Sequence, residues 1–268
     1  MGGEALAFSY SAPYSRGVLQ FIGSGRDVLN FLTQDREVLS LHRQGSNMSP
    51  SGWSLSSYCF EQFKATLVGQ EPIELDEQGL RSGSCLIKRG KNGTWLSVNG
   101  RKPVPYKALF QNICIVEQET GLYGPLGTIV SRQDLTPFSA FIEQLDLWSA
   151  GNVPCWSSLI GKGPGLTPSH DDMLIGMLFG AYLYNSAAAR KLLPSTLDIH
   201  QLTTSVSHGY LSQASKGYFA QPLLNISLEN IDKLHNSISD LLDCGHHSGA
   251  DSLLGLWIFL HYIKESKL

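Results

Sequence analysis

Two octads most constrain how this chain folds: Ser169-His-Asp-Asp172-Met-Leu-Ile-Gly176 and Ser248-Gly-Ala-Asp251-Ser-Leu-Leu-Gly255. Both read S-x-x-D-x-L-x-G. Each opens a compact apolar run, Met173–Tyr184 and Leu253–Ile263. Ser at an N-cap with an acid three residues on is a helix-start pattern, so each octad predicts a capping box at the head of a buried helix. The Asp would also sit at the positive end of the helix dipole. A glycine inside a helix costs about 1 kcal/mol relative to alanine. Close backbone approach between two helices offsets that cost, so Gly176, Gly180 and Gly255 predict that these helices touch. If they do, their N-termini can lie close together.

The first octad is entered through Gly161-Lys-Gly-Pro-Gly-Leu-Thr-Pro168. Converging helix N-termini offer free amides to an anion. Gly163 and Gly165 would let backbone approach it closely. Thr167, Ser169 and Ser248 would add hydroxyls, and Lys162 a cation. Asp171, Asp172 and Asp251 pull the other way, since they repel an anion unless they cap helices or hold a divalent cation. Mg²⁺ or Mn²⁺ on Asp171, Asp172 and His246 is the metal site this pattern would allow, with oxygen ligands dominating. No ligand spacing here is diagnostic, and no cofactor is required by the sequence. Capping alone accounts for Ser169 and Asp172; it leaves Gly163-Pro164-Gly165 and Asp171 unexplained.

Upstream, the grammar differs. RGVLQFIG, EVLSLHRQ, GSCLIKRG and TWLSVNG are short alternating or β-branched runs between glycine-rich breaks. They predict strands of a small barrel or folded sheet, with a hairpin turn at Lys91-Asn92-Gly93 and one helix near Ser57–Leu67. Past Thr136 the spacing becomes helical: Pro137–Trp148, Asp172–Asn185, Leu202–Lys216, Glu229–Cys244 and Asp251–Glu265. The expected architecture is therefore α+β. A β-rich, barrel-like or folded-sheet domain covers 1–125, and a helical bundle covers 126–268. In the first part, His42-Arg43-Gln-Gly-Ser46 pairs an Arg with loop amides, a combination that suits a carboxylate or phosphate. A surface Arg on a long polar connection explains the same residues.

Several classes are excluded or disfavoured. The net charge is 20 − 23 = −3, too balanced to suggest nucleic acid or an anionic membrane as partner. Neither apolar run reaches the roughly 20 residues a bilayer requires. Five widely spaced cysteines without CxxC read as reduced thiols in a cytoplasmic protein. GxxxxGK[ST], GxSxG and GxGxxG are all absent. The hydroxyls and His208 in 203–219 read as internally satisfied polar groups.

GKGPGLTPSHDD followed by GHHSGADSLLG, with HRQGS…SPSGW and ETGLYGPL earlier, resembles the AllH family of allantoin-degradation proteins. In order, these segments cover most of the chain. The resemblance implies one subunit of a multi-subunit oxamate carbamoyltransferase, which converts oxalurate and phosphate to oxamate and carbamoyl phosphate. Its partners would be the other subunits and these small anions. Much of the wider family has TPSGDD, with Gly where this chain has His170, so weight moves to Asp171 and Asp172. The Ser-Thr-Arg-Thr phosphate loop of the familiar transcarbamoylases is absent, and their fold is not expected. Read together, residues and resemblance nominate Asp171, Asp172 and Asp251 for chemistry. They nominate Arg43, Ser46, Lys162, Gly163, Gly165, Thr167, Ser169 and Ser248 for substrate contact. A non-catalytic scaffold subunit and a stand-alone metal-dependent hydrolase are the rival readings.

Overall fold

The computed structural model describes residues 2–69, 71–194 and 198–266. Two compact units divide between Leu96 and Ser97. That differs from the expected division at 125/126. Residues after Leu96 engage the helical unit at once: the Val98 amide donates to Gly217 O, and the Leu228 amide to Lys102 O.

The first unit is a curled, half-barrel sheet of ten strands. They are β1 (Gly2–Glu4), β2 (Ala7–Ser9), β3 (Gly17–Ser24), β4 (Val28–Leu32), β5 (Val38–Arg43), β6 (Gly52–Leu55), β7 (Ile73–Leu75), β8 (Leu80–Ser82), β9 (Cys85–Lys88) and β10 (Gly93–Thr94). Their spatial order is β1-β9-β8-β7-β3-β4-β5-β6-β2-β10. Helix α1 (Ser57–Val68) follows β6; Ser56 caps it by accepting the Cys59 amide. It buries Phe60 and Phe63 with Phe31, Leu41 and Trp53. Each such side chain contributes about 1.5–3 kcal/mol by leaving water.

The turn at 91–93 does not make a hairpin. β9 pairs with β1 and β8, whereas β10 pairs in parallel with β2 near the opposite edge. Chain segments 4–7 and 88–93 cross together between the sheet's two ends, joined by Ala5 N–H to Lys88 O and Asn92 Nδ2 to Leu6 O. The turn residues are present, but the chain leaves one edge for the other. Of the expected strand TWLSVNG, only Thr94 is in a strand.

The second unit is helical apart from one small hairpin, β11 (Glu119–Thr120) and β12 (Gly124–Pro125). Its helices are α2 (Tyr106–Ile113), α3 (Leu126–Arg132), α4 (Ser139–Ser149), α5 (Ser169–Tyr184), α6 (Ser186–Ala189), α7 (Ser205–Ala214), α8 (Gln221–Leu224), α9 (Leu234–Leu242) and α10 (Ser248–Ser266). α5 is buried from Ser169 through Leu183 and α10 from Gly249 through Phe259. Helices apolar on every side form a centre rather than a surface. Here α2, α3 and α9 surround α10, while α6 and α7 flank α5. No helix among the described residues is long and apolar enough to cross a membrane.

α5 and α10 pack directly on each other, as their glycines predict. A Cβ at Gly176 would collide with the carbonyl oxygen of Ser252, and one at Gly255 with that of Met173. Ser252 and Met173 occupy the same place in the two octads, so the contact is reciprocal. Gly180 against Leu256 and Phe259 continues it in step. The helices therefore run side by side in the same direction, and both N-termini lie at one end.

Candidate functional site

The expected capping box does not form at α5. α5 begins at Ser169 with Pro168 at its N-cap and no side-chain cap. The serines act across the pair instead. The Ser169 hydroxyl hydrogen-bonds the Asp251 carboxyl, and the Ser248 hydroxyl the Asp172 carboxyl. The capping box is a local rule, and parallel helices in step bring a closer acid from the neighbour. Each helix start is thus closed by the other.

The three aspartates divide into different roles. Asp171 is fully buried and saturated: Oδ1 accepts the Gly161 amide at 2.7 Å, and Oδ2 accepts the Ser207 hydroxyl at 2.6 Å and the Thr203 hydroxyl. It ties the glycine loop to the start of α7. The hydroxyls of Thr203 and Ser207 are thus internally satisfied, as expected. Asp251 accepts the Gly121 amide, at 3.1 Å on Oδ1 and 3.3 Å on Oδ2. Burial pushes its pKa up to about 6, opposed by the Gly121 and Ser169 hydrogen bonds and the neighbouring His247. Asp172 is 5 % exposed, and its Oδ2 has no hydrogen-bond partner. Burial raises its pKa well above the usual carboxylate range, and the charges of Asp251 and Asp171 add to the rise; Ser248 and Thr167 oppose it.

Around this core, Thr167 Oγ1 lies 2.8 Å from Ser248 Oγ. Gly163, at φ 120°, packs against Ser169 so closely that a Cβ would strike its amide. Gly165, at φ 90°, has open space where a Cβ would be. Lys162 is exposed, and its carbonyl accepts the His170 amide at 3.0 Å. His170 is a buried structural histidine. Its Nδ1 donates to Leu159 O at 3.1 Å, so Nε2 accepts from the Tyr123 hydroxyl at 2.8 Å. Burial lowers its pKa.

Thr167, Ser169, Asp172, Ser248 and Asp251 thus converge, with Gly163 against Ser169. Asp171 serves the scaffold. The metal trio Asp171, Asp172 and His246 is not assembled: Asp171 is committed to three donors, and His246 is exposed and stacked on His247 at 4.2 Å. Among the described residues no group of three His, Cys, Asp or Glu is arranged to hold a metal ion. Arg43 and Ser46 belong to the first unit, where local partners account for them. Arg43 pairs with Glu61 at 3.3 Å and Asp27 at 3.8 Å, and Ser46 Oγ donates to Arg43 O at 2.7 Å. Gly121 and Tyr123, absent from the expected site, prove central to it. Their contribution is an amide and a tertiary contact, which leave no local pattern; ETGLYGPL is the stretch that holds both.

A helical unit whose two central, parallel helices close one another's N-termini with buried acids is the class that fold and site define. Residues 159–260 match the family model described as oxamate carbamoyltransferase subunit AllH. The match takes in the glycine loop and both octads. For GKGPGLTPSHDD and GHHSGADSLLG, the resemblance is thereby shown. No solved structure matches this chain.

Proposed function

We propose that the chain serves as a subunit of an oxamate carbamoyltransferase in allantoin degradation, converting oxalurate and phosphate to oxamate and carbamoyl phosphate. The family match at 159–260 supports the complex. The observation that carries the site is the pairing of α5 and α10. Two N-termini at one end, fed by a glycine loop, suit a small anion, and every ligand of that reaction is one. Amides held in place are also suited to the oxyanion that develops when a carbamoyl carbon is attacked. In this reading Asp172, Thr167, Ser169, Ser248, Gly163, Gly165 and Lys162 would meet the ligand, with Asp251 supporting them. Other subunits of the complex are its partners. Cys59, Cys85, Cys114, Cys155 and Cys244 stand as thiols rather than disulfides, which suits the reducing cytoplasm.

The scaffold reading has an observation of its own. Asp171, Asp251 and His170 are all satisfied by groups of this chain. Reconstitution with and without this subunit separates the two. Loss of turnover without the chain, restored by wild type but not by Ser169→Ala, is expected. Restoration by Ser169→Ala, together with unchanged binding of phosphate, oxalurate and carbamoyl phosphate, would leave only the scaffold.

A further inference from the structure

We propose that Asp172 is the ligand-contacting acid of the paired helix starts, donating a hydrogen bond from Oδ2 to an oxygen of a bound phosphate-class oxyanion. This deepens the anion-site reading above and rests on it.

The other two carboxylates already have structural work. Asp171 holds three donors and Asp251 holds the Gly121 amide, so both are spent on structure. Asp172 is buried like them, yet its Oδ2 is left without a hydrogen bond. A buried polar oxygen without a partner costs about 1–3 kcal/mol. Serving as a cap would have removed that cost. The hydroxyls of Thr167 and Ser248 stand beside its carboxyl, and Ser248 begins α10. The free oxygen therefore sits where the two positive helix ends meet. Those ends favour an anion.

A carboxylate at that place would repel the ligand, whereas a carboxylic acid offers it an O–H. The acid form is the one this environment favours. Burial disfavours charge, and the charges of Asp251 on α10 and Asp171 on α5 oppose a second ionisation beside them. The other ionisable groups at this end are His247, which lies beside Asp251, Tyr123, which bonds His170, and the exposed Lys162 of the glycine loop; none of them acts on Asp172, whose charged neighbours are both acidic.

The test is calorimetric titration of inorganic phosphate into the full chain over a pH series that starts in the ordinary carboxylate range and runs upward into the alkaline. Wild type should bind more weakly as pH rises. Asp172→Asn keeps a donor that does not titrate. It should hold phosphate within about threefold of wild type at the low end and show a flatter profile. Asp172→Ala should lose about tenfold. Phosphate's own ionisation is common to all three proteins, so differences between their profiles report on the protein. Asn and Ala variants that both follow the wild-type profile would overturn the role of Asp172 while leaving the anion site standing. Binding that strengthens with pH in wild type but not in Asp172→Asn would also overturn it, since Asp172 would then act as an acceptor. A wild-type chain that binds no phosphate at any pH would remove both readings. Thermal melts of each variant separate lost binding from lost fold, and the near-isosteric Asn variant keeps the comparison available if Ala unfolds.

Discussion

The starts of α5 and α10 share a pattern, a direction and a reciprocal contact, yet they are built differently. α10 has Ala250 where α5 has Asp171, and its acid Asp251 is satisfied by an amide from the β11–β12 turn. α5 uses Asp171 to bind its own entry loop to α7 and leaves Asp172 incompletely bonded. Repetition thus fixes the frame, and departures from repetition mark the residues with other work. An acid that saturates three donors is architecture. A buried acid with a free oxygen calls for a ligand.

The strongest way to break the comparison is at its shared contact. Gly255→Ala would drive a methyl into the Met173 backbone, which cannot rotate away. Urea unfolding should show a loss of about 3 kcal/mol or more. Gly176→Ala meets the Ser252 backbone in the same way and should cost a similar amount. A large difference between the two would mean the reciprocity is only apparent.

Next comes Asp171→Ala, which strands the Gly161 amide and the Thr203 and Ser207 hydroxyls. Stability should fall by about 2–3 kcal/mol. Asp172→Ala removes an unpartnered oxygen together with the Ser248 and Thr167 hydroxyl contacts, and should cost less. Equal losses at the two adjacent positions would erase the distinction between scaffold and ligand acid.

A smaller effect concerns pH. Asp251 rises from 3.8 to about 6 on folding, so the folded state takes up a proton between those values. Its stabilising contribution is complete below 3.8 and is lost as pH rises through about 6. Relative to Asp251→Asn, wild type should therefore lose about 3 kcal/mol across that window. Unfolding free energies that keep a constant difference between the two proteins would contradict the shift. The smallest effect is at Tyr123→Phe, which deprives His170 Nε2 of its donor. A loss of about 1 kcal/mol is expected, read as a modest fall in Tm.

Much of this frame was legible in the sequence. The apolar runs located α5 and α10 because a helix buried on all sides has little polar face to conceal it. Gly176, Gly180 and Gly255 announced the contact because interior glycine needs a reason. The same octads misled about bonding. Ser-x-x-Asp names a hydrogen bond within one helix, and tertiary packing offered each Ser a better acid on the other. Gly121 was hidden for a simpler reason: an amide N–H belongs to every residue but proline. The 91–93 turn shows a further limit, since turn chemistry reports that a chain bends and not which strand it meets next. The unit boundary fell at Leu96 because contacts made by Val98 and Lys102, not composition, decide where a unit begins.

The seats of Gly176 and Gly255 also work as a levelling device. Each glycine rests on a backbone carbonyl of the other helix, so neither rod can creep along its neighbour by less than about one turn, roughly 5.4 Å. Asp172 and Asp251 ride at the heads of those rods. Their relative height is thus set from below, by two positions that carry no side chain and never approach the ligand end.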